Sequence, residues 1–355
     1  MVVEIDGSIL EGGGQILRSA IAFSAVLGEP VTVTKIRANR KTPGLRPQHL
    51  HGILAIKKLS NAQVKGTHEG SSRIDFIPQN RQGGDIFVDI GTAGAITLVL
   101  QAVMIVAPFC ENQVAIRLIG GTNVAWSPPI DYLQTVLLPR LEQMGYLAVL
   151  EIIKRGYYPR GGGQVNATIS PIAKLEPIQV SAVREQPFIT GISHCGSLPK
   201  HVAERQAKAA RNILVEKNYP VEKIQIEHNE NTFSPGSGIS LTAINNGFRI
   251  LGTDALGRRG LKAEKVGGNA AAALLKELAT NAPVDRFQAD MLVPYLALAN
   301  GSSSISITTL TMHSITNIHV AEQFLDIKFN VHGKLDYPAQ ITVNGVGLEG
   351  PLTSR

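Results

Sequence analysis

Four short segments of this 355-residue chain combine glycine or proline with charged or nucleophilic side chains. Such segments are common where a protein binds phosphate, because flexible turns bring backbone N–H groups close to a ligand. Each segment also has a simpler structural interpretation. The four segments are EGGGQILR at 11–18, RANRKTPGLRPQH at 37–49, RGYYPRGGGQV at 155–165 and MHSITN at 312–317.

The first segment is a run of three glycines that leads into an apolar, helix-forming stretch. The free N–H groups and dipole of a helix start suit a phosphate group. The run is not a Walker A loop, since no Gly-Lys-Ser/Thr follows, and Leu17 replaces the last glycine of G-x-G-x-x-G. A bare glycine turn explains the three glycines, but it does not explain the flanking Glu11 and Arg18.

The second segment places four cations within ten residues, just before a helix. Arginine offers a fork that fits phosphate oxygens, so the segment is either an anion site or a solvated basic loop.

The third segment is a Pro/Gly turn between two strands, for which a hairpin turn is a sufficient explanation. In the fourth, His313 stands between a strand and a helix, where it can be a nucleophile, a base, a ligand or a cap.

Other common sites are missing from the sequence. There is no H-E-x-x-H and no pair of Cys/His ligands at zinc spacing, which argues against a zinc site built by the protein. There is also no G-x-S-x-G elbow, which argues against the commonest hydrolases.

The elements that must position these segments repeat three times along the chain. Each copy has an apolar helix, an alternating strand, a second helix and two more strands. In the first copy we predict helices 15–27 and 48–59 and strands 31–36, 73–77 and 85–90. In the second copy we predict helices 95–107 and 130–144 and strands 114–119, 147–154 and 164–170. In the third copy we predict helices 289–299 and 315–324 and strands 304–309, 325–330 and 340–343.

Residues 183–282 interrupt this rhythm with a strand, helix 200–217, three strands near 223–228, 239–244 and 248–253, and helix 263–280. We therefore predict a mixed α/β (α+β) protein, with a large domain of residues 1–182 and 283–355 and a small α/β domain of residues 183–282. The alternative is that the inserted residues extend the main domain.

Composition limits the class of protein. With 44% hydrophobic and 17% charged residues, the chain is neither disordered nor of low complexity. Its longest apolar stretch, 94–109, falls short of the roughly 20 residues that span a bilayer. The first residues lack the basic segment of a signal peptide, so we expect a cytoplasmic protein. A net charge of +6 permits an anionic partner such as RNA or a nucleotide.

Together and in this order, the four segments resemble those of the RNA 3′-terminal phosphate cyclase family, whose signature is RGYYPRGGGQV. The resemblance extends over essentially the whole chain. It implies a large domain of three repeated units, each with two helices and a four-stranded sheet, and a small inserted domain of thioredoxin-like topology. It also implies that ATP is used to convert an RNA 3′-phosphate into a 2′,3′-cyclic phosphodiester through histidyl-AMP and an RNA-3′-pp-5′-A intermediate, releasing AMP and diphosphate.

The resemblance assigns a role to each matching residue. His313 would be the nucleophile and Glu11 the contact for Mg²⁺ or Mn²⁺. Phosphates of ATP or RNA would be held by Arg18, Arg40, Gln48 and His49. The nucleotide would contact Gln101, Pro129, Phe287, Gln288, Ala289 and Asp290, with the adenine between Pro129 and Phe287 and with Asp290 orienting His313 or the nucleotide.

One residue departs from the family pattern, since Met291 stands where the family usually has Gln and removes an amide hydrogen bond.

Three alternatives to this function remain open. A non-catalytic, cyclase-like RNA-binding or ribosome-assembly protein would lack His313. An enolpyruvyl transferase would have six repeated units rather than three. A pure RNA-binding module would be expected to have an aromatic motif, whereas only 5% of these residues are aromatic.

Overall fold

A computed structural model describes residues 2–182 and 185–354. Three of its four-stranded sheets share one chain path, in which a strand, a helix and a parallel strand are followed by a helix and two antiparallel strands. In each, the strands lie side by side in the order first, second, fourth, third. The predicted α/β class and the three repeats of two helices on a four-stranded sheet are therefore confirmed.

The first unit begins with a parallel pair in which Val3 lies opposite Val31. Parallel neighbours need a crossover connection, and an apolar helix that ends at Gly28, in the left-handed region at φ 74°, supplies it. The elements are β1 (Val3–Asp6), α1 (Gly14–Leu27), β2 (Val31–Thr34), α2 (Pro47–Leu59), β3 (Gln63–Lys65) and β4 (Ile74–Ile77).

The second unit repeats this path, with Gly84 paired in parallel to Val114. Its second helix is interrupted by the π-helical turn Leu133–Leu137. The elements are β5 (Gly84–Asp89), α3 (Ile96–Val106), β6 (Val114–Gly120), α4 (Ile130–Tyr132), α5 (Leu138–Glu142), β7 (Ala148–Lys154) and β8 (Gly163–Ile169). Strands β7 and β8 are antiparallel, so the predicted hairpin at the glycine-rich third segment is confirmed.

The inserted residues form the fourth sheet, in the strand order second, first, third, fourth. Its elements are β10 (Phe188–Gly196), α6 (His201–Glu216), β11 (Val221–Asn229), β12 (Gly236–Asn245), β13 (Phe248–Leu256) and α7 (Ala263–Leu278). The third unit surrounds this insert, with β9 (Gln179–Val180) before it and with α8 (Arg286–Leu298), β14 (Asn300–Ile307), α9 (Met312–Phe324), β15 (Phe329–Gly333) and β16 (Ala339–Val346) after it.

One predicted strand lies in another unit, and strands β1, β3 and β9 were not predicted. The strand expected to close the first repeat at 85–90 is β5, which opens the second sheet by pairing with β6. Strand β9 opens the third sheet from before the insert, where no strand was expected. Alternation identifies a strand but not its partner, since pairing depends on distant residues. The predicted boundary at residue 183 lies outside the described residues, and the boundary at residue 282 remains a prediction.

The helices and sheets pack around two separate hydrophobic cores. One is shared by the three units, and in it Phe23 of α1 stacks on Phe324 of α9 at 5.8 Å between ring centroids. The other lies between the inserted sheet and its two helices and includes Leu214, Leu241 and Leu274. Among the described residues, no helix is long and apolar enough to cross a membrane.

A buried ion network connects the second unit to the insert. The Arg155 side chain, 6% exposed, donates two hydrogen bonds of 2.6 and 2.8 Å to the Asp131 carboxylate and one of 2.8 Å from Nε to Glu227 in β11. Burial opposes ionisation of Asp131, but the charge and hydrogen bonds of Arg155 outweigh it and lower the pKa of Asp131 below its usual range. Beside this network, the Tyr157 hydroxyl lies 2.8 Å from Nδ1 of His194 in β10.

We expect Arg155→Met to lower the free energy of unfolding by about 3–5 kcal/mol, because it leaves the buried Asp131 carboxylate without its partner. Urea unfolding followed by circular dichroism measures the loss. Arg205→Met is the matched control, since it breaks an exposed pair with Glu264 that water and salt screen. Equal shifts for the two variants would show that the buried network does not stabilise the fold.

Candidate active site

Four helices of the large core begin around one point. At the start of α1, a Cβ on Gly14 would overlap Nε2 of His49 in the first turn of α2. Gln48 of α2 lies close to Gly94, which is just before α3. Its Oε1 is 3.6 Å from the position that a Cβ on Gly94 would occupy. The Glu11 N–H, three residues before α1, donates to Thr316 Oγ1 near the start of α9 at 3.2 Å.

Helix starts present N–H groups that have no partner within the helix, together with the positive end of the helix dipole. Neither the start of α1, at Gly13, nor that of α3, at Ala95, has a side-chain cap or an acidic residue in its first turn. These two starts are therefore suited to receive an anionic ligand such as a phosphate group.

Glycine is required in this run both by the backbone conformation and by close contacts with neighbouring side chains. Gly12 has φ 61°, which favours glycine. A Cβ on Gly13 would overlap the Glu11 carboxylate, and a Cβ on Gly14 would overlap the His49 ring. The glycine run therefore brings one carboxylate and one imidazole directly against the backbone where α1 begins.

His313 lies in the first turn of α9, which begins three residues earlier than predicted because Thr311 caps it. The Thr311 hydroxyl accepts the Ser314 N–H at 3.0 Å. The His313 side chain is 45% exposed, yet its Nδ1 is buried with no hydrogen-bond partner among the described residues, 3.8 Å from Glu11 Oε2. The ring therefore turns Nδ1 toward Glu11 and leaves Nε2 on the open side.

Two arginines surround this ring with positive charge. Arg40 forms an ion pair with the Glu11 carboxylate, and Arg18 donates to Gln101 Oε1 at 3.2 Å. The predicted site residues from α1, α3 and the basic loop thus lie together. Burial, and then the charges of Arg18 and Arg40, lower the pKa of His313 to about 4. The imidazole is therefore neutral near pH 7.

His49 is buried beneath the same site. Its Nδ1 accepts the Arg46 N–H at 3.2 Å, which fixes the tautomer and leaves the Nε2 side facing Gly14. Burial, and then the charges of Arg18, Arg37 and Arg46, lower its pKa to about 3. His49 therefore lies under the anion site as a neutral group.

Asp290 supports the helix that carries His313 rather than the ring itself. Its carboxylate accepts hydrogen bonds from the Thr311 hydroxyl and, at 2.6 Å, from the Ser314 hydroxyl. The direct contact expected between Asp290 and His313 is not among the interactions of the described residues, and Glu11 is the carboxylate beside the ring. Burial raises the pKa of Asp290 to about 7, although these hydrogen bonds act to lower it. Its neighbour Met291 is buried in the shared core.

Of the residues predicted to hold the adenine, Pro129 precedes α4 and Phe287 lies at the start of α8. Tyr132 connects them, since its N–H donates to Pro129 O at 3.1 Å and its ring packs edge-on against Phe287 at 6.2 Å. The Phe287 ring is partly exposed. Both ring and proline remain predicted nucleotide contacts.

Gln288 and Ala289, by contrast, are fully buried. The Gln288 amide accepts from Arg140 and donates to Val136 O at 3.2 Å. Both side chains are enclosed by protein. A nucleotide contact from these two residues stays a prediction.

Several supporting residues were not predicted. Asp285 caps α8 by accepting the N–H groups of Phe287 and Gln288 and also accepts the Tyr132 hydroxyl at 2.6 Å. The spacing Asp285-x-x-Gln288 is a cap signature that could have identified this start. No local signal indicates the partnership with Tyr132, which lies 153 positions away.

The chain is similar to known proteins of one family over nearly its whole length. A family model described as RNA 3′-terminal phosphate cyclase matches residues 9–331. The chain is 47% identical to the "RNA 3′-terminal phosphate cyclase" of Pyrococcus abyssi (96% of this chain, 98% of the relative) and 48% identical to that of Thermococcus kodakarensis (96% and 98%). It is 46% identical to that of Methanosarcina acetivorans (94% and 98%). All three relatives carry the name of an enzyme.

Among solved structures, the enolpyruvyl transferase NikO from Streptomyces tendae aligns with 98% of this chain and 66% of its own, at 10% identity and a TM-score of 0.28. An alignment with so low a score supports no conclusion about this chain.

We expect His313 in the metal-free protein to titrate near pH 4 rather than near its ordinary 6.5, since burial and two arginines disfavour the charged ring. Long-range ¹H–¹⁵N NMR of histidine-labelled protein measures the midpoint. Arg40→Gln should raise it, because one positive charge is removed and the Glu11 carboxylate is left unpaired. A midpoint near 6.5 in the unsubstituted protein would contradict this electrostatic description.

Proposed function

The chain belongs to the RNA 3′-terminal phosphate cyclase family, and we propose that it uses ATP to convert an RNA 3′-terminal phosphate into a 2′,3′-cyclic phosphodiester, releasing AMP and diphosphate. The observation that carries the proposal is the position of His313. It is a neutral imidazole with an accessible nitrogen, beside two arginines and four converging helix starts.

In the first step, Nε2 of His313 attacks the α-phosphorus of ATP. An N–P bond forms, the bond from that phosphorus to the bridging oxygen breaks, and diphosphate leaves. The low pKa of His313 keeps the lone pair available, and Nδ1 carries the ring proton toward Glu11. The Glu11 carboxylate then stabilises the positive charge that develops on the ring.

Arg18, Arg40 and the uncapped starts of α1 and α3 provide the charge that holds the phosphates. Phe287 and Pro129 would receive the adenine, because a partly exposed aromatic ring offers a face for stacking.

Glu11 is also the residue that would contact a divalent cation. No group of three or more His, Cys, Asp or Glu side chains among the described residues forms a complete metal cage. One carboxylate fits Mg²⁺ or Mn²⁺ held mainly by nucleotide phosphates and water, which is how Mg²⁺ usually binds beside ATP. When bound, the cation would offset negative charge on the phosphates.

The remaining steps follow from the chemistry of the RNA end. A 3′-phosphate oxygen attacks the phosphorus of histidyl-AMP, which releases His313 and forms a phosphoanhydride. The vicinal 2′-hydroxyl then attacks the 3′-phosphorus and displaces AMP, a much better leaving group than an oxide ion. Arg40, whose side chain is 44% exposed, and the half-buried Gln48 would bind the RNA phosphate.

Incubation with α-³²P-ATP and Mg²⁺ should label the denatured protein through an adduct that is stable to alkali and labile to acid, as a phosphoramidate is. His313→Ala should abolish labelling. His319→Ala, in the same helix, is the matched control and should label normally. An unlabelled native protein, or equal labelling of His313→Ala, would refute the covalent mechanism.

A 3′-phosphorylated oligonucleotide whose last sugar is 2′-deoxy should accept AMP but accumulate as the adenylylated end, because it lacks the hydroxyl that displaces AMP. The all-ribose oligonucleotide should become resistant to phosphatase instead. Gel electrophoresis of both products makes the comparison. Phosphatase resistance of the unadenylylated 2′-deoxy end would contradict attack by the 2′-hydroxyl.

A further inference from the structure

An exposed aromatic residue of the insert lies beside the glycine-rich hairpin, and the proposed reaction does not use it. The Phe233 ring is 53% exposed, and two cations lie over it, with Lys154 Nζ at 4.6 Å and Arg160 Cζ at 5.7 Å from its centroid. Among the described residues, neither cation forms an ion pair with a carboxylate. A half-exposed ring beside two cations without an acidic partner is a combination that binds single-stranded nucleic acid, because bases stack on exposed aromatic and guanidinium surfaces and phosphates pair with the cations.

The hairpin is held firmly against this ring. A Cβ on Gly162 would overlap Phe233, so glycine is required for the contact. The Arg160 N–H donates to Ser234 Oγ at 3.1 Å, and the Ser197 hydroxyl donates to Thr232 O at 3.0 Å. Ring and cations are thus prearranged before any ligand binds, which lowers the cost of binding.

The surface is continuous with the candidate active site. A Cβ on Gly161 would be 2.6 Å from Thr92 O, so the hairpin packs directly on the loop that precedes α3. That loop ends at Gly94, beside Gln48. Loop 91–94, in which Gly91 and Thr92 are exposed, therefore connects the surroundings of Gln48 with the hairpin beside Phe233.

Two more exposed aromatic residues lie in or next to this hairpin. Tyr158, in the same hairpin, is largely exposed, and Trp126 is completely exposed. The loop that carries Trp126 adjoins the hairpin, since the Thr122 N–H donates to Gly156 O at 2.9 Å.

We propose that Phe233, Lys154 and Arg160 form the docking surface for the single-stranded RNA that leads to the reacting 3′ end, with a base on Phe233 and phosphates on the two cations. This inference rests on the proposed function for the identity of the polymer. It assigns the insert a task, which is to hold the substrate strand while the large core performs the chemistry.

Fluorescence anisotropy with a 5′-labelled, 3′-phosphorylated decaribonucleotide, without ATP, tests the surface independently of catalysis. Phe233→Leu, which keeps bulk against Gly162 but removes the aromatic face, should weaken binding at least about fivefold, the effect of losing one base stack. Arg160→Ala should reduce the slope of log affinity against log salt by about 0.7, the value for one single-strand phosphate contact.

Phe87→Leu is the matched control, because Phe87 is also exposed (62%) and has Arg117 at 6.0 Å but lies on the outer face of β5. It should leave binding unchanged. The proposal would be overturned if the Phe233 and Arg160 variants bound the RNA with the affinity and salt slope of the native protein. It would also be overturned if polyglutamate competed for the surface as well as RNA does, because the surface would then belong to an acidic polypeptide.

Labelling by α-³²P-ATP separates this inference from the proposed function. Both variants should form the AMP adduct as the native protein does, since they leave the His313 site intact. If the native protein is labelled and the variants bind RNA normally, only the docking surface is wrong. If the native protein binds RNA through Phe233 but is never labelled, the proposed function is wrong and the surface stands.

Discussion

The convergence of helix starts on His313 is the interaction on which the site depends. Helices α1, α2, α3 and α9 direct positive dipole ends at one place, and Arg18 and Arg40 add full charges there. Burial disfavours protonation of His313, and the charges of Arg18 and Arg40 add to this effect. In the proposed mechanism, the two arginines would therefore both bind the anionic substrate and help to keep the nucleophile neutral.

The repeated architecture produces this convergence. In each unit a helix follows the first strand and another follows the second, and the shared core packs α1 against α3 and α9. Glu11 before α1, Gln101 in α3 and His313 in α9 come from three different units. A single unit would contain only part of the site, so the chemistry requires all three to fold together.

Local sequence patterns predicted most elements and the fold class. They assigned β5 to the first unit instead of the second, because the partner of a strand is determined by contacts far along the chain, and they did not predict the two-residue strand β9. Within the site, the resemblance named residues that do lie together, such as Arg18 with Gln101. It gave Asp290 the role of orienting His313 or the nucleotide. In the structure Glu11 is the carboxylate beside the ring, and Asp290 accepts hydrogen bonds from two hydroxyls at the start of α9. Which of two carboxylates faces a ring depends on three-dimensional packing that no motif records.

A crystal structure with a non-hydrolysable ATP analogue would show whether phosphates bind where these helix starts meet. We expect the triphosphate between the starts of α1 and α3, with the α-phosphorus facing Nε2 of His313 and the base beside Phe287. A nucleotide bound elsewhere, for instance in the groove of about 870 Å³ between β7 and β11, would contradict this expectation.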